Sequence, residues 1–204
     1  DDFDVNVDDL LLLSSTEARE RLIGGLIKAA SDYGLDGINV DFESVKEECA
    51  PHFLQFLREL SIACRKDGLV LSVDNYVPKD YNAHYGWKEQ GVVADYVIIM
   101  GYDEHYGGSQ ETGSVASIGY VEEGISTMVQ FVPPEKVINA VPFYTRIWET
   151  VNGAVSSQAV GMTTAANFLA DQGVQAAWDE GTCQNYAEVQ DGDSFYQVWL
   201  EDAQ

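Results

Sequence analysis

The chain has 204 residues, of which 34 are acidic and 11 are lysine or arginine, so its formal net charge is -23. This charge argues against a nucleic-acid-binding protein, since such a protein neutralises phosphates with lysine and arginine. No run of 18 or more apolar residues occurs in the sequence, so it predicts no membrane-spanning helix. The length is sufficient for a single domain with a hydrophobic core.

The N-terminal residues predict a loop followed by a helix. Residues 1–13 are acidic and then apolar, which indicates a loop leading into the helix. Ser14 and Glu17 have the spacing of a capping box, with Ser14 as the N-cap. Gly34 is suited to the position just after the helix.

The next stretch, residues 36–43, reads DGINVDFE and alternates apolar and polar side chains. A two-residue period predicts a β-strand. Its polar face carries Asn39, Asp41 and Glu43. Burying an amide and two carboxylates in a row is costly unless each finds a partner or the site uses the charge. We therefore interpret this face as part of a functional site.

The remaining elements as far as residue 148 alternate between strands and helices. The predicted elements are a helix over 51–66, a strand over 69–76, a loop over 77–91, a strand over 94–105, a helix over 118–131 and a strand over 137–148. Four strands separated by helix-length crossovers indicate a parallel sheet, and each strand ends in polar residues. A (β/α)8 TIM barrel places its active site at these strand ends. A doubly wound sheet would do the same, but no dinucleotide-binding or P-loop motif is present.

Residues 149–204 predict a small α+β insertion rather than another βα unit. A short helix begins near residue 162, with Thr163 or Thr164 as its cap. Asp191-Gly192 predicts a hairpin between two of three short strands. Four βα units cannot close an eight-stranded barrel. We therefore expect an incomplete barrel of about strands four to seven over residues 1–148, with 149–204 inserted in the same domain.

Three motifs together resemble glycoside hydrolase family 18, the chitinase-like barrels. Residues 36–43 match the family's DxxDxDxE signature at Asp36, Asp41 and Glu43, but Asn39 stands where many members have Asp. MGYD at 100–103 and PFYTR at 142–146 resemble the motifs of strands six and seven. The resemblance covers roughly residues 10–148. The sequences DGINVDFE and YDEH are more similar to those of bacterial members linked to peptidoglycan and spore cortex.

The resemblance implies a substrate-assisted mechanism in which the substrate's 2-acetamido oxygen is the nucleophile. In this mechanism Glu43 is the general acid and base, and Asp41 orients the acetamido group. Tyr102 hydrogen-bonds the acetamido carbonyl, while Met100 and Asp103 shape the same pocket. The resemblance implies no cofactor and no metal.

Three further residues have implied or hypothesised roles. Tyr144 and Arg146 lie in the strand-seven motif and are expected to bind substrate, although Arg146 could equally be a structural ion-pair partner. Our hypothesis for Asn39 is that its amide hydrogen-bonds Asp41, because an amide cannot share a proton with a carboxylate.

Several alternatives stay open for individual residues. The three polar residues of the DGINVDFE strand could bind a divalent cation, although the spacing does not fit an EF-hand. Aromatic faces suit sugar rings, but core or loop packing is the preferred interpretation for the tryptophans. Packing is also the preferred interpretation for two histidines that lack zinc-ligand spacing, and the cysteines are expected to be buried. The tryptophans are Trp87, Trp148 and Trp178, the histidines His84 and His105, and the cysteines Cys49, Cys64 and Cys183.

The sequence thus predicts hydrolysis of β-1,4-linked N-acetylglucosamine polymers, with peptidoglycan glycan strands preferred over chitin. The alternative class is a family barrel that binds sugar without cleaving it. The acid Glu43 separates the two classes, since non-catalytic relatives typically lack it. We further expect a monomeric, extracellular or cell-wall-associated protein whose partner is a polysaccharide rather than nucleic acid.

Overall fold

The computed structural model describes residues 8–203 of the chain. Contacts divide the chain into two compact units, the first running up to Met100 together with Ile125–Ile138, and the second comprising Gly101–Gly124 and the chain from Asn139 onward. The α-helices are α1 (Asp9–Ser14), α2 (Thr16–Tyr33), α3 (Ala50–Asp67), α4 (Trp87–Val93), α5 (Ile118–Met128) and α6 (Met162–Asp171). The strands are β1 (Gly37–Val40), β2 (Val70–Tyr76), β3 (Tyr96–Met100), β4 (Val137–Ala140), β5 (Tyr144–Val151), β6 (Ala154–Gly161), β7 (Ala177–Asp179), β8 (Gln184–Asp191) and β9 (Ser194–Leu200). Short 3-10 helices span Glu47–Cys49, Asp80–Tyr85 and Pro134–Lys136.

The first four strands form one sheet in the order β1-β2-β3-β4. β1 pairs with β2 and β2 with β3 in parallel, with Asn39 opposite Ser72 and Val73 opposite Val97. Helix α3 connects β1 to β2, and α4 connects β2 to β3, as parallel pairing requires. The prediction of a parallel sheet is confirmed, but within residues 8–203 the strands form open sheets and no closed barrel.

Two predicted strands are shorter than expected, and one is divided. The strand predicted over 36–43 ends at Val40, and the one predicted over 94–105 ends at Met100. The strand predicted over 137–148 is two strands, β4 and β5, interrupted at residues 141–143. Pro142 in this interruption has no N–H for a sheet ladder. β5 belongs to the second, antiparallel sheet, so the α+β region begins before residue 149.

The start of the long helix also differs from the prediction. Residues 1–7 of the predicted loop lie outside the described residues, and Asp9–Ser14 is a helix rather than a loop. Ser15, not Ser14, is therefore the N-cap of α2, and its Oγ accepts a hydrogen bond from the Ala18 N–H at 3.2 Å. Gly34 ends the helix in the left-handed conformation, as predicted, with φ 63°.

The core of the first unit anchors the segment that follows β1 through contacts between phenylalanine rings. Helix α3 buries a row of apolar side chains, among them Phe53 and Phe56, which are fully buried. The Phe42 ring lies 5.8 Å from each of these two rings. Fully burying a phenylalanine contributes about 1.5–3 kcal/mol. Phe42 therefore anchors the segment that carries the carboxylates of Asp41 and Glu43 on either side of it.

The second unit contains a five-stranded antiparallel sheet in the order β6-β5-β9-β8-β7. Helix α6 packs on β5, β6 and β9, burying Ala165 and Leu169. The predicted hairpin at Asp191-Gly192 is confirmed, since it joins β8 to β9. The α6 cap is Gly161 without a side-chain bond, not a threonine. β6 was not predicted, although the Asn152-Gly153 turn before it is a strong hairpin signal.

The described part of the chain, residues 8–203, has no helix that combines the length and apolar character needed to cross a bilayer.

Candidate functional site

The parallel register of β1 and β2 builds the first part of the site. Asn39 lies opposite Ser72 and Val40 opposite Val73. Asp41 and Asp74 each follow the last of these pairs, and they lie close enough for the Asp74 charge to act on Asp41. Strands in a sheet lie about 4.8 Å apart and alternate side chains point to the same face. The polar face predicted for one strand is therefore a polar face of two strands.

Asn39 connects the two strands through its amide. Its Oδ1 accepts a hydrogen bond from the Ser72 hydroxyl at 2.7 Å, and its Nδ2 donates to Asp74 Oδ2 at 2.8 Å. The hypothesis that this amide holds Asp41 is therefore wrong. The Asn39 amide instead binds the carboxylate of Asp74, which lies on the neighbouring strand and outside the DGINVDFE motif.

Asp41 is exposed and Asp74 is half-buried, and Asp41 lies near the carboxyl groups of Asp74 and Glu43. Burial raises the pKa of Asp41, and the charges of Asp74 and Glu43 raise it further. Burial also raises the pKa of Asp74, while the hydrogen bond from Asn39 lowers it. Both carboxyl groups therefore accept a proton more readily than in water.

Glu43 follows the strand in an exposed position and is held at one oxygen. The Tyr76 hydroxyl donates a hydrogen bond to Glu43 Oε2 at 3.0 Å. Ser44, the next residue, has φ 55°, which is uncommon for a residue with a side chain. Such backbone strain persists where the surrounding structure enforces it. The turn after Glu43 is therefore fixed by its contacts.

Those contacts come from the 3-10 helix Asp80–Tyr85. The Val45 N–H donates to the buried Tyr85 hydroxyl at 2.9 Å, and that hydroxyl donates to the Phe42 carbonyl at 3.2 Å. The His84 Nε2 lies 2.7 Å from the Val45 carbonyl oxygen. Burial raises the pKa of Tyr85 to about 12, so its hydroxyl keeps its proton. These bonds hold the backbone on both sides of Glu43.

An open cavity of about 670 Å³ adjoins this group of residues. Asp41 and Glu43 line it, and Asp8, Asp9 and Glu48 add further acidic side chains. Among its lining residues Lys46 is the cation, so the cavity is predominantly acidic. Its size suits a small part of a polymer or a short oligomer.

The second unit contains the other predicted site residues. The Tyr144 hydroxyl donates to Asp103 Oδ1 at 2.6 Å, and the Tyr102 and Tyr144 rings lie edge to face with centroids 6.4 Å apart. Burial and the Asp103 carboxylate raise the pKa of Tyr144, so it remains a hydrogen-bond donor. Asp103 has φ 58°, a left-handed conformation in a functional motif. The structure thus brings Tyr102, Asp103 and Tyr144 together.

Arg146 and Met100 occupy more enclosed positions. Arg146 Nη1 donates to the Ser157 hydroxyl at 3.1 Å, while its Nε is buried and has no partner within residues 8–203. Arg146 makes no ion pair with the described residues. Met100, the last residue of β3, is buried and lies opposite Tyr76 in the sheet.

Most of the other candidate side chains have packing roles. Trp87 and Trp148 are buried in their respective units, as preferred, whereas Trp178 is 43 % exposed. His105 Nδ1 contacts the Ser114 carbonyl oxygen at 2.9 Å. Residues 8–203 contain no group of three histidine, cysteine or acidic side chains placed to hold a metal ion. Of the three free cysteines, Cys49 and Cys64 are buried as predicted, and Cys183 is half-buried.

The sequence reasoning missed Asp74, Tyr76 and Tyr85. A partial signal was present, because Ser72 and Asp74 alternate with the apolar Leu71 and Val73 in the predicted strand. Without the register between β1 and β2, this alternation could not be matched to the residues of the first strand. Tyr85 lies in a stretch predicted as a loop, and no local pattern identified its contacts with residues 42–45.

Comparison with known proteins gives one family match and several relatives. The family model described as glycosyl hydrolases family 18 matches residues 9–204. The uncharacterized glycosylase YvbX of Bacillus subtilis is 32 % identical over 152 residues, which is 72 % of this chain and 44 % of that protein. The crystal structure of the spore cortex-lytic enzyme SleL of Bacillus cereus superposes with a TM-score of 0.85 at 26 % identity, covering 95 % of this chain and 46 % of that one. The crystal structure of a chitinase from Chromobacterium violaceum gives a TM-score of 0.83 at 29 % identity, covering 92 % of this chain and 60 % of that one.

The matches cover most of this chain but only part of each relative. The matched region includes nearly all of this chain in both solved structures. The chain nevertheless spans less than half the length of these curated relatives, with 44 % of YvbX and 47 % of the cortical fragment-lytic enzyme of Bacillus subtilis. The comparison therefore relates this chain to part of each relative.

Proposed function

The chain belongs to family 18 of the glycosyl hydrolases, and on this premise we propose that it hydrolyses β-1,4-linked N-acetylglucosamine polymers, with Glu43 as the general acid and base. The observation that carries the proposal is the arrangement at the end of β1. Glu43 accepts a hydrogen bond from Tyr76 and lines an open cavity together with Asp41. An acid needs access to the substrate and a fixed position, and both are present here.

The proposed reaction uses two steps with Glu43 in two protonation states. In the first, protonated Glu43 gives its proton to the glycosidic oxygen, the bond between that oxygen and the anomeric carbon breaks, and the substrate's acetamido oxygen bonds to the anomeric carbon. In the second, ionised Glu43 takes a proton from water, and the water oxygen replaces the acetamido oxygen. Two displacements at one carbon retain its configuration.

Asp41 has the proposed role of facing the acetamido group. Positive charge develops on that group as the oxazolinium intermediate forms, and a nearby carboxylate stabilises it. Such preorganised electrostatic stabilisation typically contributes more than any other single effect in enzymes. The position of Asp41 in the lining of the same open cavity as Glu43 supports this role, because a carboxylate there can face a bound substrate.

The remaining predicted residues receive proposed roles in substrate binding. Tyr102 hydrogen-bonds the acetamido carbonyl, and Asp103 and Met100 shape the same pocket. Tyr144 holds the Asp103 carboxylate, which is supported by their 2.6 Å hydrogen bond. Arg146 contacts a substrate hydroxyl through its guanidinium group, which makes no ion pair with the described residues. The role of Asn39 is to hold Asp74.

The proposal includes the architecture around these residues. Strands β1 to β4 are taken as strands four to seven of a family barrel, and the antiparallel region from β5 onward as an insertion in the same domain. The similarity to the chitinase structure, with a TM-score of 0.83, supports the barrel-type fold.

Peptidoglycan glycan strands are the preferred substrate, with chitin as the second. The solved relative named as a spore cortex-lytic enzyme supports the first, and the chitinase supports the second. A cell-wall substrate would place the protein outside the cell membrane or at the cell wall, where we expect it to act as a monomer without a cofactor.

The test compares the full-length protein with its Glu43→Gln variant on chito-oligosaccharides and on purified glycan strands. Glutamine keeps the shape of the side chain but cannot donate the catalytic proton, so we expect cleavage to fall by about 10²–10⁴-fold. Mass spectrometry of the products measures the rate, and NMR of the fresh product gives the anomer, which should be β. Glu47→Gln, on the neighbouring 3-10 helix, is the matched control and should cleave at the parent rate.

Two results would contradict the proposal in different ways. Cleavage by Glu43→Gln at the parent rate would remove Glu43 from the mechanism. Binding of oligosaccharide without cleavage by the parent protein would instead indicate the sugar-binding class. A fresh α-anomeric product would exclude a retaining reaction even if cleavage occurred.

A further inference from the structure

We propose that Asp74 and Asp41 share one proton across β1 and β2, and that Asp74 is a positioning residue which holds Asp41 in its working orientation. The proposal deepens the function proposed above and rests on it for its kinetic consequence. In the family signature the residue two positions before Asp41 is often an aspartate. Here that position is Asn39, and the second carboxyl group is supplied by the neighbouring strand.

The first observation is the environment of the two oxygens of Asp74. Oδ2 accepts a hydrogen bond from the Asn39 amide at 2.8 Å. Oδ1 is buried and has no hydrogen-bond donor within residues 8–203. A buried carboxylate oxygen without a donor is destabilising, because it loses its hydration without compensation. A proton on Oδ1 removes this cost if the resulting O–H finds an acceptor.

The second observation is the position of Asp41. Asp41 and Asp74 each directly follow the last paired residues of the two strands, Val40 and Val73. Asp41 has no hydrogen bond within the described residues, and the charge of Asp74 is the largest charge effect on it. The Asp41 carboxylate is therefore the proposed acceptor for an Oδ1–H of Asp74. Two neighbouring carboxyl groups that cannot both ionise at low cost commonly share a proton.

The surroundings contain few other groups that could take this proton. Glu43 is the other charged neighbour of Asp41, and Tyr76 is already bonded to Glu43. On the other side of β2, the residue in register with Asp74 is the apolar Ile98. Within the first unit, the groups that face the pair from β1, β2 and β3 therefore favour a single shared proton.

The arrangement has a consequence for the proposed reaction. A hydrogen bond from Asp74 to one oxygen of Asp41 fixes its orientation and leaves its other oxygen for the acetamido group. The pair carries one negative charge, which matches the single positive charge of the oxazolinium intermediate. Asn39 sets this geometry by occupying the remaining oxygen of Asp74, so that Oδ1 faces Asp41.

The direct test follows the two carboxyl groups by NMR, independently of activity. In the full-length protein with ¹³C-labelled aspartate, signals are assigned by comparison with Asp41→Asn and Asp74→Asn. We expect two linked titration steps, the upper one at least about one pH unit above the ordinary aspartate value of ~3.9. In Asp74→Asn, the Asp41 carboxyl should titrate in one step at lower pH. An Asp41 titration that is the same in parent and Asp74→Asn overturns the proposal.

The kinetic test separates orientation from simple stability. An asparagine at 74 can accept from Asn39 and donate to Asp41, so Asp74→Asn should keep kcat within about threefold while its pH profile shifts. Asp74→Leu can do neither, and its kcat should fall by about 10-fold or more with a smaller change in KM. Asp95→Asn is the control, because Asp95 accepts from the Leu71 N–H at the opposite end of β2 and should change neither the profile nor the titration.

The outcomes distinguish this proposal from the proposed function. If the parent cleaves no N-acetylglucosamine polymer, the proposed function fails, while the NMR titration still decides whether the proton is shared. If the parent cleaves and Asp74→Leu has the parent's kcat and pH profile, the positioning role fails and the proposed function stands.

Discussion

The turn that carries Glu43 depends on one buried hydroxyl, which makes Tyr85→Phe an informative substitution. The Tyr85 hydroxyl accepts from the Val45 N–H at 2.9 Å and donates to the Phe42 carbonyl at 3.2 Å. The ring packs edge to face on Phe53 at 5.8 Å, and a phenylalanine ring can keep this contact. The substitution therefore removes two hydrogen bonds and little apolar packing.

The size of the effect follows from the two groups left behind. Val45 is 3 % exposed, so its N–H has poor access to water once the hydroxyl is removed. Each hydrogen bond contributes about 1 kcal/mol, and a buried unpaired donor costs about 1–3 kcal/mol, so we expect a loss of roughly 2–3 kcal/mol in the free energy of unfolding. For a chain of this size, this corresponds to a fall in Tm of roughly 4–12 °C. A displaced turn should also lower kcat by about tenfold, since Glu43 then loses its fixed position.

The assays are urea unfolding followed by circular dichroism and a kcat measurement on the preferred glycan. Tyr81→Phe provides the matched control. Tyr81 lies on the same 3-10 helix but is 77 % exposed, so removing its hydroxyl should change stability by less than about 0.5 kcal/mol. If Tyr85→Phe behaved like Tyr81→Phe in both assays, the inference that this hydroxyl fixes the turn would be refuted.

Two further predictions concern buried charges. Arg19 is 6 % exposed and binds Glu59 through two hydrogen bonds of 2.8 and 3.0 Å. Arg19→Met should cost about 3 kcal/mol in urea unfolding, because Glu59 then loses its cationic partner and keeps only the hydrogen bond from Gln55. The control Lys28→Met removes an exposed ion pair and should lower the free energy of unfolding by less than about 0.5 kcal/mol. Equal losses for Arg19→Met and Lys28→Met would contradict this reasoning. Burial raises the pKa of Glu201 from 4.5 to about 7, so the folded protein retains a proton that the unfolded chain releases, and stability falls as pH rises through this window. Glu201→Gln should abolish this fall, worth about 2 kcal/mol after solvent screening is allowed for, and an unchanged pH dependence of urea unfolding would refute it.

Much of the first unit was predictable because its signals are local. The alternation in DGINVDFE, the amphipathic pattern before Gly68 and the β-branched run after it correspond to β1, α3 and β2. The spacing between strands then required parallel pairing, and the motifs indicated the family that the match over residues 9–204 shows.

The errors occurred where a local pattern continues beyond the point at which the sheet stops. The alternation runs to Glu43, but β1 ends at Val40, because the backbone then turns to meet Tyr85. Similarly, the apolar run from 137 to 148 appears continuous, whereas Pro142 separates strands of two sheets. Neither end could be located from hydrophobic periodicity, which records which face is apolar and not which neighbour supplies the hydrogen bonds.

The sequence by itself determined which residue types stand at the strand ends: Asp41 and Glu43 in the last part of the first predicted strand, and Tyr102 with Asp103 in the last part of the third. Only the tertiary structure decided their partners. Asn39 bonds Asp74 rather than Asp41, and Tyr76 rather than a nearby residue in the chain holds Glu43. The physical reason is that these partners come from a parallel neighbour strand more than 30 residues away, and its register depends on packing across the whole sheet.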